Sequence, residues 1–172
     1  MVASEMTFNH GFNHVGLSVI DLDAAVACYT KVLGFHQTPK ILEFDRAHDP
    51  SSPIFSIYGA TLHKGRFAFL ISGNGVGLEL FEFENPKSAG VTKSFDYSKG
   101  GFFHIAITDP DPPSKAREIE AAGGQIIGEP ITMLEKNHAY CAYVQDPWGN
   151  VIELLNLNFA ELAIRLSGVD EL

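Results

Sequence analysis

The chain has 172 residues, 45% of them hydrophobic, with 12 Lys plus Arg against 21 Asp plus Glu for a net charge of −9. That length buries a core without a metal or disulfide to staple it, and the acidic balance, with no basic cluster, argues against nucleic acid or an anionic membrane as partner. The start, MVASEMTFNHGFNH, lacks the basic and apolar regions of a signal peptide, and no apolar run is long enough to cross a bilayer. Cys28 and Cys141, far apart in apolar surroundings, read as reduced, packed thiols, and a cytoplasmic location is expected.

The first element is NHVGLSV, residues 13–19. Its period-two alternation predicts a strand with Val15, Leu17 and Val19 on one face and His14, Gly16 and Ser18 on the other. In DLDAAVACYTKVLGF, Asp21 or Asp23 can cap a helix carrying Ala25, Val26, Tyr29 and Val32 at helical spacing, with Gly34 as its stop. Three strand-like runs follow: ILEF (41–44), RFAFLIS (66–72) and GLELFEF (77–83). The irregular stretch between Asp45 and Gly65 is expected to be a loop or lid. His48, His63 and Arg66 flank it, and solvated surface is their expected setting.

The pattern then repeats. FFHIAITDPDPPSKAREIEAAGG again gives a strand, with His104, Ala106 and Thr108 facing opposite Ile105 and Ile107, then a turn, a helix and Gly123-Gly124. QIIGEPI, HAYCAYV and NVIELLNL supply three more strands. The class is therefore α+β, two βαβββ modules: residues 10–84, a linker at 85–101, residues 102–157, and a C-terminal packing helix in 158–172 with Phe159, Leu162, Ala163 and Leu166 at helical spacing.

The last strand of each module carries one acid between aliphatic neighbours, Leu78-Glu79-Leu80 and Ile152-Glu153-Leu154. Each glutamate faces opposite its neighbours, onto the histidine face. A carboxylate there is disfavoured unless paired or bound to a cation. His14, Glu79, His104 and Glu153 thus read as the ligands of a divalent ion, and imidazole nitrogen with carboxylate oxygen suits Zn, Fe, Mn, Ni or Co.

NHVGLSVIDLDAAVACYTKVLGF, LELFEFENP, FFHIAI and the closing YVQDPWGNVIELLN together resemble the vicinal oxygen chelate superfamily, which includes glyoxalases, bleomycin-resistance proteins and extradiol dioxygenases. The resemblance covers roughly residues 10–157. It implies paired βαβββ modules in a cupped, partly closed mixed sheet around a metal, with His14, Glu79, His104 and Glu153 as ligands. It also implies that Glu79 and Glu153 serve as ligand and general base by turns, and that DPWGN, Asp146 to Asn150, is a hairpin before the last ligand strand, with Gly149 in the tight turn.

A divalent ion with open positions polarises a carbonyl and stabilises an enediolate. A lyase or isomerase is the leading expectation, acting on a hydrophobic or ring-containing carbonyl compound. In glyoxalase I the positions matching Ser18 and Phe83 are an arginine and an asparagine that hold glutathione, so that substrate does not carry over. Phe81, Phe83, Phe67 and Phe69 form the expected substrate wall, with Ser18 beside it; His138 and Tyr140, on one face of the seventh strand, are candidates for a proton or oxyanion contact. The alternatives are an Fe(II)-dependent ring-cleaving dioxygenase and a non-catalytic small-molecule binding protein of the resistance type. The ion lies either within one chain or between the chains of a homodimer.

Overall fold

The computed structural model describes residues 10–90, 95–134 and 139–168. It divides into two compact units, residues 1–88 and 89–172. The first contains β1 (His14–Ser18), α1 (Leu22–Lys31), β2 (His36–Asp45), α2 (Ile54–Tyr58), β3 (Lys64–Ile71) and β4 (Gly77–Asn85). The second contains β5 (Ile105–Thr108), α3 (Pro112–Ala121), β6 (Gln125–Leu134), β7 (Ala139–Gln145), β8 (Val151–Leu155) and α4 (Phe159–Leu166). Their four-stranded mixed sheets have the orders β1-β4-β3-β2 and β5-β8-β7-β6, and neither closes into a barrel. In each sheet the edge strand that opens the unit runs parallel to its neighbour and the other pairings are antiparallel.

One face of each sheet carries a helix. Asp21 caps α1 by accepting from the Ala24 amide at 3.0 Å, and Leu22, Ala25, Val26 and Tyr29 are buried along one stripe. Ala68, Leu70, Leu78 and Leu80, buried on β3 and β4, meet that stripe. Each fully buried leucine there contributes about 1.5–3 kcal/mol. In the second unit Asp111 caps α3, Pro112 opens it, and Ala116 and Ile119 pack over the buried Val144, Ile152 and Leu154.

The sequence reading is too short at β2 and misses α2. β2 begins at His36, and its register shifts between Gln37 and Ile41. Pro39 lies in the shifted stretch, where its missing N–H breaks no ladder bond, and the same proline hides the strand from pattern reading. α2 has five residues, too few for a helical period, and is held by tertiary contacts: buried Phe55 packs with Phe44 and Leu62. The Arg46 guanidinium stands 4.2 Å over the Phe55 ring and donates to the Leu62 and Gly59 carbonyls. The 45–65 stretch is thus pinned to the unit at Phe55, Leu62 and Arg46. In α4 only Leu162 is buried, against Cys141 and Leu155; Phe159 and Leu166, expected to pack, are exposed. Among the described residues no helix is long and apolar enough to cross a membrane.

Candidate metal centre

The faces turned away from α1 and α3 carry the candidate site residues. Parallel pairing sets Gly16 beside Glu79, so His14 lies two residues back on the same face. His14 Nε2 stands 3.5 Å from Glu79 Oε2, and its Nδ1–H donates to Asn13 Oδ1 at 2.7 Å. That hydrogen bond fixes the ring orientation and directs Nε2 at a carboxylate oxygen. Gly77 is required for this approach, because a Cβ there would come within 3.0 Å of the His14 Cβ.

The second unit repeats the arrangement. Ala106 pairs with Glu153, and His104, just ahead of β5, places Nε2 at 3.2 Å from Glu153 Oε2. This pair is more buried: the His104 and Glu153 side chains are 26% and 15% exposed, against 48% and 24% for His14 and Glu79. His104 Nδ1 is buried with no hydrogen-bond partner, and the ring is boxed edge-on by Phe103 and Tyr143 at 4.5 and 5.6 Å.

The surroundings of the two carboxylates differ. Glu153 accepts from the Cys141 thiol at 3.4 Å, and Tyr143 stands beside it as its cross-strand partner. Burial, reinforced by the Glu153 charge, pushes the Cys141 thiol up to about 12 and raises Tyr143 too, so both remain protonated donors. At the corresponding places in the first unit stand Phe67 and Phe69; Phe69 pairs with Glu79 as Tyr143 pairs with Glu153. Among the described residues no thiol, hydroxyl or amide donates to the Glu79 carboxylate.

The expected wall is one aromatic surface. Phe67 stacks on Phe81 at 5.1 Å and Phe81 on Phe83 at 5.8 Å, while Phe69 meets Phe67 edge-on at 5.2 Å. Tyr58 of α2 closes over Phe83 at 5.6 Å. A hollow of about 270 Å³ opens beside His14 and Glu79, with Phe69 and Thr38 in its lining. Ser18 is exposed on the same strand as His14 and is tied to Ser88 at 3.3 Å.

Two readings are corrected. Tyr140 alternates with Cys141 and Tyr143 along β7 and so faces away from Glu153; Tyr143 and Cys141 stand where a proton donor was sought. Arg66 lies on the α1 side, bridging Glu82 and Asp23 at 2.9 Å each, while Glu82 also accepts from the Leu22 amide. His138 lies outside the described residues. Sequence reasoning missed Tyr143 and Cys141 although the signal was present. Asp146, 3% exposed, accepts from the Trp148 and Asn150 amides and from Asn150 Nδ2, with Gly149 at φ 96°. Counting outward from that turn pairs Gln145 with Val151 and Tyr143 with Glu153.

The donor set suits a divalent ion. Two ligands held at about 2.0–2.2 Å from one ion stand roughly 2.8–3.6 Å apart for angles from about 90° to the tetrahedral value, and the observed separations are 3.5 and 3.2 Å. Two lone-pair donors facing one another need a proton or a cation between them. Among the described residues no group of three or more His, Cys, Asp or Glu is gathered for an ion; each unit presents a pair.

The family model described as the Glyoxalase/Bleomycin resistance protein/Dioxygenase superfamily matches residues 11–154. A 2-epi-5-epi-valiolone epimerase of Actinomyces sp is 30% identical over 149 residues, covering 84% of this chain and 78% of that protein. A probable lactoylglutathione lyase of Vibrio cholerae serotype O1 is 32% identical over 148 residues, covering 86% and 91%. Among solved structures, a glyoxalase family protein from Bacillus cereus shares the fold at a TM-score of 0.70 and 17% identity, covering 89% of this chain and 97% of that one.

Proposed function

We propose, from the premise that this chain belongs to the Glyoxalase/Bleomycin resistance protein/Dioxygenase superfamily, that it is a metal-dependent lyase or isomerase acting on a small, hydrophobic or ring-bearing carbonyl compound. The observation that carries this reading is the twice-repeated His–Glu pair, in the same strand register, with the imidazole Nε2 facing a carboxylate oxygen in each unit. Relatives named as an epimerase and a lyase support the reaction class.

His14, Glu79, His104 and Glu153 would hold the ion as two half-sites, supplied by one chain or by two copies of it. The bound cation supplies Lewis acidity toward the substrate carbonyl and its enolate. The remaining work falls to the protein. Glu153, gripped by Cys141 with Tyr143 beside it, is a fixed ligand. Glu79, among phenyl rings with no donor to fix it, is free to take a proton from carbon and return it. The phenylalanine surface excludes water and orients an apolar body. Ser18 and Phe83 give a glutathione carboxylate no cation, so the name of the Vibrio relative does not transfer.

Metal analysis of protein purified without added metal, repeated on His14→Ala and Glu153→Ala, tests the site: about one divalent ion per site in the parent and its loss in both variants are expected. Exchange of the α-proton of hydroxyketones with deuterated solvent, abolished in Glu79→Gln with metal retained, tests the chemistry. Iron with substrate-dependent oxygen uptake would instead sink the lyase reading in favour of the dioxygenase alternative, and a protein that binds no metal would overturn the metal-site reading and revive the binding-protein alternative.

A further inference from the structure

The hollow beside His14 and Glu79 continues past Phe69. A second hollow of about 330 Å³ adjoins it, lined by Thr38, Pro39, Lys40, Leu42 and Phe69, and Thr38 and Phe69 belong to both. Its origin is the register shift of β2. Gln37 pairs with Leu70 and Ile41 with Ala68, so residues 38–40 bulge opposite Phe69 and no regularly paired side chain covers that ring. Pairing then resumes with Leu42 beside Phe67. In the other direction along the sheet, Phe67, Phe81 and Phe83 are stacked under Tyr58, and Phe81 is 9% exposed. That route is filled, and the trough over Phe69 is the open one.

The lining is apolar apart from the Thr38 hydroxyl and the Lys40 ammonium, and it contains no carboxylate. A cationic arm finds no partner there, and an apolar arm finds Pro39, Leu42, the face of Phe69 and the methylene stem of Lys40. We propose that this trough receives the uncharged alkyl or aryl arm of the substrate whose oxygen-bearing end is held at His14 and Glu79. The preferred substrates are vicinal hydroxycarbonyl compounds with an apolar arm of several carbons, and Thr38, Leu42 and Phe69 set the selectivity. The inference rests on the metal-site reading above and adds the direction and chemistry of the bound arm.

Alkyl hydroxamic acids, which present two adjacent oxygens on arms of chosen length, are the probe. Calorimetric titration of the metal-loaded protein with aceto-, butyro-, hexano- and octanohydroxamic acid should show affinity rising about two- to fourfold per added methylene until the trough is full. Leu42→Glu, at a site 37% exposed, should flatten that rise while leaving acetohydroxamate affinity within about twofold of the parent. Lys40→Trp, at a residue that lines this trough and not the hollow beside His14, fills the trough instead of charging it; it should do the same and guards against a folding defect in the first variant. A flat series in the parent, or a rise that persists in both variants, overturns the trough assignment while leaving the metal site standing. A series in which no hydroxamate binds the loaded protein also overturns the trough assignment, and failure of the protein to take up a divalent ion overturns the metal-site reading, and this inference with it.

Discussion

Replacing Asp146 by alanine removes the device that sets the register of β7 against β8. The carboxylate is 3% exposed and accepts the Trp148 amide at 3.0 Å, the Asn150 amide at 2.8 Å and Asn150 Nδ2 at 2.8 Å. Hydrogen bonds to a charged group are worth about 1.5–3 kcal/mol each. The three act on one carboxylate and are not additive, and its own burial cost is recovered on deletion, so a loss of about 3 kcal/mol is expected. The milder change Asp146→Asn would keep an acceptor for the two amides and lose the Asn150 side-chain contact, a loss of about 1–1.5 kcal/mol. Urea unfolding followed by the fluorescence of Trp148, the chain's single tryptophan, reads both values from within the turn. Equal losses for Asp146→Ala and Asp146→Asn, or a loss below about 1 kcal/mol for alanine, would show that the carboxylate does not organise the hairpin. Because the turn sets Tyr143 opposite Glu153, the alanine variant should also lose metal affinity.

Asn13→Ala frees the His14 ring, and with that side chain half-exposed water replaces part of the lost bond; metal affinity should fall about tenfold in a chelator competition with the melting temperature nearly unchanged. The Cys141 thiol has a folded pKa of about 12, raised by burial first and the Glu153 charge second above an ordinary value of 9.0. The neutral form is favoured in the fold, so its contribution to stability is complete below about pH 9 and is lost as pH rises toward 12. Denaturant unfolding from about pH 8 to 11 should therefore fall more steeply for the parent than for Cys141→Ala, and parallel slopes would refute the assignment. Arg66→Ala leaves the partly buried Glu82 without its cation and should lower stability by about 1–3 kcal/mol in urea unfolding. Metal content should stay intact in that variant, because Arg66 lies on the helix side of the sheet.

Much of this was legible along the chain. Alternation in NHVGLSV and FFHIAI, helical spacing after Asp21 and Asp111, and glutamates flanked by leucine and isoleucine are local properties, and the duplicated pattern let each module check the other. The face shared by His14 and Glu79, and by His104 and Glu153, follows from period-two geometry alone. The first part of strand β2, before Ile41, and helix α2 were not legible, because a proline-bearing bulge and a five-residue helix have no period to read. Tyr140 was chosen over Tyr143 because alternation was read without the register that the DPWGN turn imposes.

The order of amino acids alone determined which residues are candidates for the site and on which face of its strand each one stands, because side-chain direction in a strand is set by the backbone of that strand. Tertiary structure decided what surrounds them. Cross-strand pairing put a thiol and a phenol beside Glu153 and phenyl rings at the matching places beside Glu79, and set Arg66, expected on solvated surface, in a bridge between Glu82 and Asp23 on the helix side. Neighbours across a sheet come from segments distant in sequence, and their identity is fixed only when register and bulges are.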